Sequence, residues 1–254
     1  MQLSRARALA DPLIVLDTCD STNAELRRRA EAGERLGHLA VLLTDAQTAG
    51  RGRLGRTWTA PAGSALAVSV LLRDLPADID RWGWIPLAAG VAMTDAVAAQ
   101  LPGRAVGLKW PNDVLVDGRK ICGILAEVTP HGVIVGTGVN TAMTESELPV
   151  PSATSFAALG APVDVDRLLA DHLSGLEARV AGLTASGDAV ASGLHAEAQQ
   201  RCLSIGRDVE VTLPGGEMLH GRATGLQDDG CLLVDVEGTV RAIASGDVVH
   251  ARLA

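Results

Sequence analysis

The chain has 254 residues, 47% hydrophobic and 20% charged, and its 22 Lys+Arg against 30 Asp+Glu leave a net charge of −8. That length and composition suit one large domain, or a large and a small one, and exclude a solvated disordered tail. The acidic balance argues against a surface devoted to nucleic acid or anionic membrane, since both select clustered Lys and Arg. Aromatics amount to four Trp, one Phe and no Tyr, so the core is aliphatic. Cys19, Cys122, Cys202 and Cys231 form no C-x-x-C pair and no zinc-spaced cluster, which fits reduced cytosolic thiols. The opening MQLSRARALADPL lacks the apolar run of a signal peptide, and no run of about 18 apolar residues offers a membrane span. The expected setting is the cytoplasm.

Residues 13–19 read as a strand feeding a helix that starts in STNAEL, with Thr22 and Glu25 at capping-box spacing. Residues 38–45 and 64–72 are expected strands, and residues 85–101 an Ala-rich helix stopped by Pro102 and Gly103. The segment VGLKWPN then leads into VLV, the turn Asp117-Gly118, RKICGILAEV, a second reversal at Pro130-His131-Gly132, and VIVGTGVN. An Asp-Gly pair between apolar runs signals a hairpin, so the middle of the chain is an antiparallel meander. Two helices follow, at 165–183 and 188–202. From Ser204 short β runs with Gly turns indicate a small all-β barrel. The expected fold is α+β, a mixed, largely antiparallel sheet with helices over residues 1–203 and the β domain over 204–254.

The most informative segment is QTAGRGRLGRTW, Gln47 to Trp58, which holds Arg51, Arg53 and Arg56 and no acidic residue. Gly50, Gly52 and Gly55 allow close backbone approach to a ligand, and guanidinium forks match carboxylate and phosphate oxygens. The pattern points to an anion-binding loop. It also satisfies G-x-G-x-x-G, with Asp74 about 20 residues on, but the dinucleotide fingerprint needs a helix at its third glycine. Only RTWTAPAG separates Gly55 from the next strand, which leaves no room for one. Walker A chemistry fails for want of Gly-Lys-Ser/Thr, and no G-x-S-x-G or H-E-x-x-H supports hydrolase or metalloprotease chemistry. Lys109, in the apolar GLKWP, either snorkels to water or meets a bound anion. Gly123, Gly136 and Gly138 are either bulges or the walls of a narrow slot. Asn140 can hydrogen-bond a nucleobase or cap the next turn.

STN at 21–23, GRGRLGRTW at 50–58, KWPND at 109–113, KICGILAE at 120–127 and GTGVN at 136–140, in this order, resemble the biotin–protein ligases. The resemblance covers nearly the whole chain. It implies a class II synthetase-like catalytic domain and an SH3-like C-terminal β domain. For activity it implies ATP-dependent formation of biotinyl-5′-AMP from biotin and Mg-ATP, then transfer to a lysine of a biotin carboxyl carrier domain of an acetyl-CoA, acyl-CoA or pyruvate carboxylase. Carried over by position, Ser21, Thr22, Asn23, Gln47, Gly50, Arg51, Gly52, Arg53, Lys109, Gly123, Gly136 and Gly138 would bind biotin. Arg51, Arg53, Arg56, Trp58, Asn112, Lys120 and Asn140 would bind ATP. Lys109, Arg51 and Arg53 would supply the catalytic charge, and the Mg²⁺ ligands are not assigned. Lipoate–protein ligases share this chemistry, but the GRGRLGRTW and KWPND pair favours biotin. Some members carry a preceding helix-turn-helix domain; twelve residues precede Leu13 here, so no DNA partner is expected. The expected assembly is a monomer or weak homodimer.

Overall fold

The computed structural model of the chain describes residues 1–250. In order, its first elements are α1 (Ser4–Arg7), β1 (Leu13–Val15), α2 (Thr22–Glu31), β2 (Ala40–Thr44), β3 (Gly50–Arg51), β4 (Thr57–Trp58), β5 (Ala65–Leu72) and α3 (Ile85–Ala98). The meander follows as β6 (Val106–Lys109), β7 (Asp113–Val116), β8 (Arg119–Thr129) and β9 (Gly132–Asn140), then α4 (Val165–Ser186) and α5 (Leu194–Arg201). The main sheet has the order β1-β2-β5-β9-β8-β7-β6. Within it only β1 and β2 run parallel, as a meander requires. At the β7–β8 turn Asp117 and Gly118 have φ of 50° and 81°, the doubly left-handed backbone of a type I′ hairpin.

All eight residues of β5 are buried because both faces of the sheet are covered. Val68, Val70 and Leu72 join the large core beneath α3 and α4, while Leu71, Leu42 and Ile134 pack on Leu26 and Ala30 of α2. The ten-residue α2 is too short to span that face. The rest of the face carries the site described below.

The second sheet, of β10 (Asp208–Thr212), β11 (Met218–Leu226), β12 (Leu232–Val236), β13 (Thr239–Ile243) and β14 (Asp247–His250), is antiparallel in the order β13-β12-β11-β10-β14. No pairing joins β13 to β14 among the described residues, so the expected barrel takes the form of a five-stranded sheet; its last expected residues, 251–254, lie outside the described ones. Two of the four Trp tie it to the first sheet. Trp84 Nε1 donates to Asp228 O at 2.9 Å and Trp110 Nε1 to Gly230 O at 3.0 Å, with both rings buried. A buried indole needs a partner for its N–H, and here the partner is the β11–β12 turn.

Three local expectations differ. The first strand ends at Val15, and Cys19 instead bridges to Gln47. The Thr22–Glu25 capping box does not form: Ser21 is the N-cap, and the Glu25 carboxylate accepts from Arg28 and Arg29. The last helix starts at Leu194 because Asp188 Oδ1 accepts from Val190 N and Ala191 N, a local turn that competes with the helix. No helix among the described residues is long and apolar enough to cross a membrane.

His172 of α4 is fully buried, and neither ring nitrogen is hydrogen-bonded among the described residues. Burial, then the Arg179 charge, pushes its pKa down to about 4 from an ordinary 6.5. Between those values the unfolded chain binds the proton and the native chain does not. Stability is therefore lost as pH falls through this window, by on the order of 3 kcal/mol in full. Urea midpoints for His172→Leu should accordingly fall less than wild type between pH 7 and pH 4.5; an equal fall would exclude His172 as the cause.

Candidate active site

Directly opposed residues of neighbouring strands share a face. Across the sheet one such row reads Thr44, Ala67, Gly138, Gly123, Asp113, Lys109. The next reads Leu42, Ser69, Gly136, Leu125. Small residues at the centre of both rows open a slot on the face that carries α2. Its volume is about 150 Å³, and side chains lean over each glycine. A Cβ on Gly138 would lie 2.7 Å from Trp58 Cε2, one on Gly123 would lie 3.0 Å from Lys120 Nζ, and one on Gly136 would collide with Asn23 Oδ1.

One group of lining residues is polar and neutral. Ser21, Thr22 and Asn23 sit at the N-terminus of α2, all buried, and Ser21 Oγ is not spent on capping. Thr22 N and Oγ1 donate to Gln47 Oε1 at 2.8 and 3.2 Å, fixing the amide. Asn23 Oδ1 accepts from Ser69 Oγ at 2.6 Å, and its Nδ2 donates to Glu127 Oε2 at 2.7 Å and Leu125 O at 3.2 Å. Every Asn23 side-chain bond runs to the sheet, which locks its rotamer.

A second group is cationic. The segment from Arg51 to Arg56 crosses the slot, with Leu54 and Gly55 both left-handed at φ 56° and 72°; for Leu this backbone is strained, of order 1 kcal/mol or more. Gly55 leads into β4, with no helix after it. Arg51 Nη2 pairs with Glu127 Oε2 at 3.1 Å, Arg56 with Asp247, and Lys120 Nζ with Asp113 Oδ1 at 2.6 Å. Arg53 differs. Its Nη1 donates to two neutral acceptors, Asn112 Oδ1 at 3.0 Å and Gly246 O at 3.3 Å, and no carboxylate pairs with it among the described residues. Burial pushes its pKa down while Asp113 and Asp247 act the other way. A half-desolvated guanidinium held by neutral groups is a preorganised charge for an incoming anion. Beside the slot a wider cleft of about 890 Å³ is bounded by the same Arg51–Arg56 segment, Trp110, Glu127 and Asp229.

Ser21, Thr22, Asn23, Gln47, Arg51, Gly52, Arg53, Arg56, Trp58, Asn112, Lys120, Gly123, Gly136 and Gly138 all line the slot. Three expected residues do not. Gly50 pairs with Trp58 and packs on Gln47. Asn140 is buried and donates to Thr154 O at 2.9 Å, so it holds the following loop. Lys109 ends β6 half-buried, beside the Asp247 carboxylate and His250. Sequence reasoning assigned no role to Ser69, Asp113, Glu127 or Asp247. Asp113 and Glu127 belong to the motifs KWPND and KICGILAE, while Ser69 and Asp247 stand in segments with no local signal. No group of three or more His, Cys, Asp or Glu converges to hold a metal among the described residues.

Residues 19–140 match the Biotin/lipoate A/B protein ligase family, and residues 204–251 match the Biotin protein ligase C terminal domain. Fold and site together thus define a protein of the biotin and lipoate ligase class. The biotin–[acetyl-CoA-carboxylase] ligase of Mycobacterium tuberculosis is 40% identical, over 97% of this chain and 95% of its own length. The chain belongs to the biotin protein ligase family. Among solved structures, the Aquifex aeolicus biotin protein ligase in complex with biotin and ATP superposes with a TM-score of 0.77 at 26% identity, covering 95% of this chain and 99% of that one. The Leishmania major biotin protein ligase in complex with biotinyl-5-AMP gives 0.56 at 27% identity, covering 92% and 98%.

Proposed function

We propose that this chain condenses biotin with Mg-ATP to biotinyl-5′-AMP, releasing pyrophosphate, and then transfers the biotinyl group to a lysine of a biotin carboxyl carrier domain. The supporting observation is the lining of the slot: fixed neutral donors and acceptors in Ser21, Thr22, Asn23 and Gln47, glycine walls, and four cations. Biotin matches that set of partners, with a neutral ureido head, an apolar chain and a terminal carboxylate. Ser21, Thr22, Asn23 and Gln47 take the head, and Gly123, Gly136 and Gly138 take the ring and chain. Arg51 and Arg53 draw the carboxylate and the α-phosphate together, two anions that repel without added positive charge. Trp58 covers the adenine, and Arg56, Lys120 and Asn112 face the phosphates. Magnesium enters with ATP as part of the substrate.

A carboxylate oxygen attacks the α-phosphorus and pyrophosphate leaves. The lysine amine then attacks the acyl carbon, AMP departs with the bonding pair, and the amide nitrogen gives up a proton to solvent. The slot excludes water from the mixed anhydride, and the wider cleft offers the acceptor lysine a separate approach. Residues 1–203 form the catalytic domain and 204–254 the C-terminal one. The carrier belongs to an acetyl-CoA, acyl-CoA or pyruvate carboxylase, and the protein works in the cytoplasm as a monomer or weak homodimer. Incubation with ATP, Mg²⁺, biotin and a carrier domain should give a band on an avidin blot. Pyrophosphate release with lipoate and none with biotin would replace this reading by the lipoate one. Lys109, outside the slot but near enough to act on the Asp247 carboxylate, adds positive charge beside the phosphate groups, and Lys109→Ala and Arg51→Ala should each slow pyrophosphate release at least about tenfold, on the order of 1.4 kcal/mol.

A further inference from the structure

Asp247 is the one residue of the second sheet that lines the slot among the described residues. It is the first residue of β14, held in register against Thr212. Its Oδ2 accepts from Arg56 Nη2, and the preceding Gly246 O accepts from Arg53 Nη1 at 3.3 Å. The Asp247 carboxyl lies below the usual range, first through the bond from Arg56, with Lys109 and Arg53 adding to the effect. A carboxylate of the chain itself therefore stands against two of the cations that would meet nucleotide phosphate, Arg53 and Arg56, with Lys109 beside them. Carboxylate and phosphate oxygens compete for the same guanidinium donors.

We propose that Asp247 is an internal competitor of nucleotide: it engages Arg56 in the place of a phosphate, so the Arg56–Asp247 pair must open for ATP to bind. The proposal rests on the nucleotide reading above. Because Asp247 is also a point where the second sheet grips the Gly/Arg segment, nucleotide entry loosens the contact at Arg56 and leaves the Gly246–Arg53 bond in place. The competition is modest by construction, since the Arg56 side chain is 59% and the Asp247 side chain 38% exposed. A solvated pair of this kind is worth about a two- to fivefold change in affinity.

The test is calorimetric titration of the full-length chain with ATP, in wild type, Asp247→Asn, Arg56→Gln and the double variant. Asparagine keeps the size of the side chain and the strand pairing. D247N should bind ATP about two- to fivefold more tightly with biotin affinity unchanged, and the gain should vanish in the R56Q background. Unchanged or weaker ATP binding by D247N, with a lower melting temperature, would make Asp247 a plain structural staple and overturn the proposal. An equal gain in the R56Q background would assign the effect to net charge and also overturn it. A wild-type chain that binds no ATP would overturn the nucleotide reading itself, which separates the two failures.

Discussion

Arg53→Ala is expected to slow biotinyl-adenylate formation by about 100-fold, on the order of 2.7 kcal/mol, at saturating biotin and ATP. The expectation comes from the difference among the three loop arginines. Arg51 and Arg56 are each paired with a carboxylate, Glu127 and Asp247, so their charge is largely balanced within the fold. Arg53 is half-desolvated and oriented by Asn112 Oδ1 and Gly246 O, neutral acceptors that fix its position without cancelling its charge. Such a group stabilises negative charge as it builds on the α-phosphate and needs no reorganisation at the moment of reaction. Asn112 Nδ2 is itself anchored to Ile124 O at 2.9 Å, so the support runs into β8. The check is pyrophosphate release with saturating biotin and ATP. An effect no larger than that of Arg51→Ala would show that the unbalanced arginine has no catalytic advantage here, against this assignment.

Gly138→Val is expected to weaken biotin binding by at least about 100-fold while leaving the protein folded. Gly138 lies in the middle of the row from Thr44 to Lys109, and a Cβ there already meets the Trp58 indole at 2.7 Å. Two further methyl groups would fill the slot between β5 and β8 and push Trp58 outward. The strand itself tolerates a β-branched residue, since its neighbour at the clash is a side chain and not backbone. Biotin titration read by calorimetry, with circular dichroism as the folding control, decides it. Binding of wild-type strength would mean that the glycine row does not hold biotin.

Much of this was legible in the sequence because it is local. The Asp117-Gly118 turn specifies a hairpin from two residues, and the meander that follows brings Gly123 and Gly138 opposite one another with no further information. The absence of room for a helix after Gly55 excluded a dinucleotide site, and the chain passes directly into β4. The capping box failed for an equally local reason, since Arg28 and Arg29 offered Glu25 stronger partners than a backbone N–H. Asn140 is instructive in the other direction. Its position after β9 suited a ligand contact or a cap, and what resolved the alternatives was a carbonyl fourteen residues later, at Thr154.

By itself the sequence determined the inventory: which residues carry charge, where the backbone can approach a ligand, and the order of strands in the meander. These depend on side-chain chemistry and on contacts between near neighbours. Only the tertiary structure decided how the charges are balanced. Arg51 meets Glu127 across 76 positions, Arg53 meets Asn112 across 59, and Arg56 meets Asp247 across 191. No periodicity or spacing encodes such pairings, because the first two depend on the loop folding back over a distant part of the first sheet's meander, and the third exists only where the β14 end of the second sheet is brought against that loop. That placement depends on the buried Trp84 and Trp110, whose indole N–H groups must find partners and find them in the same turn.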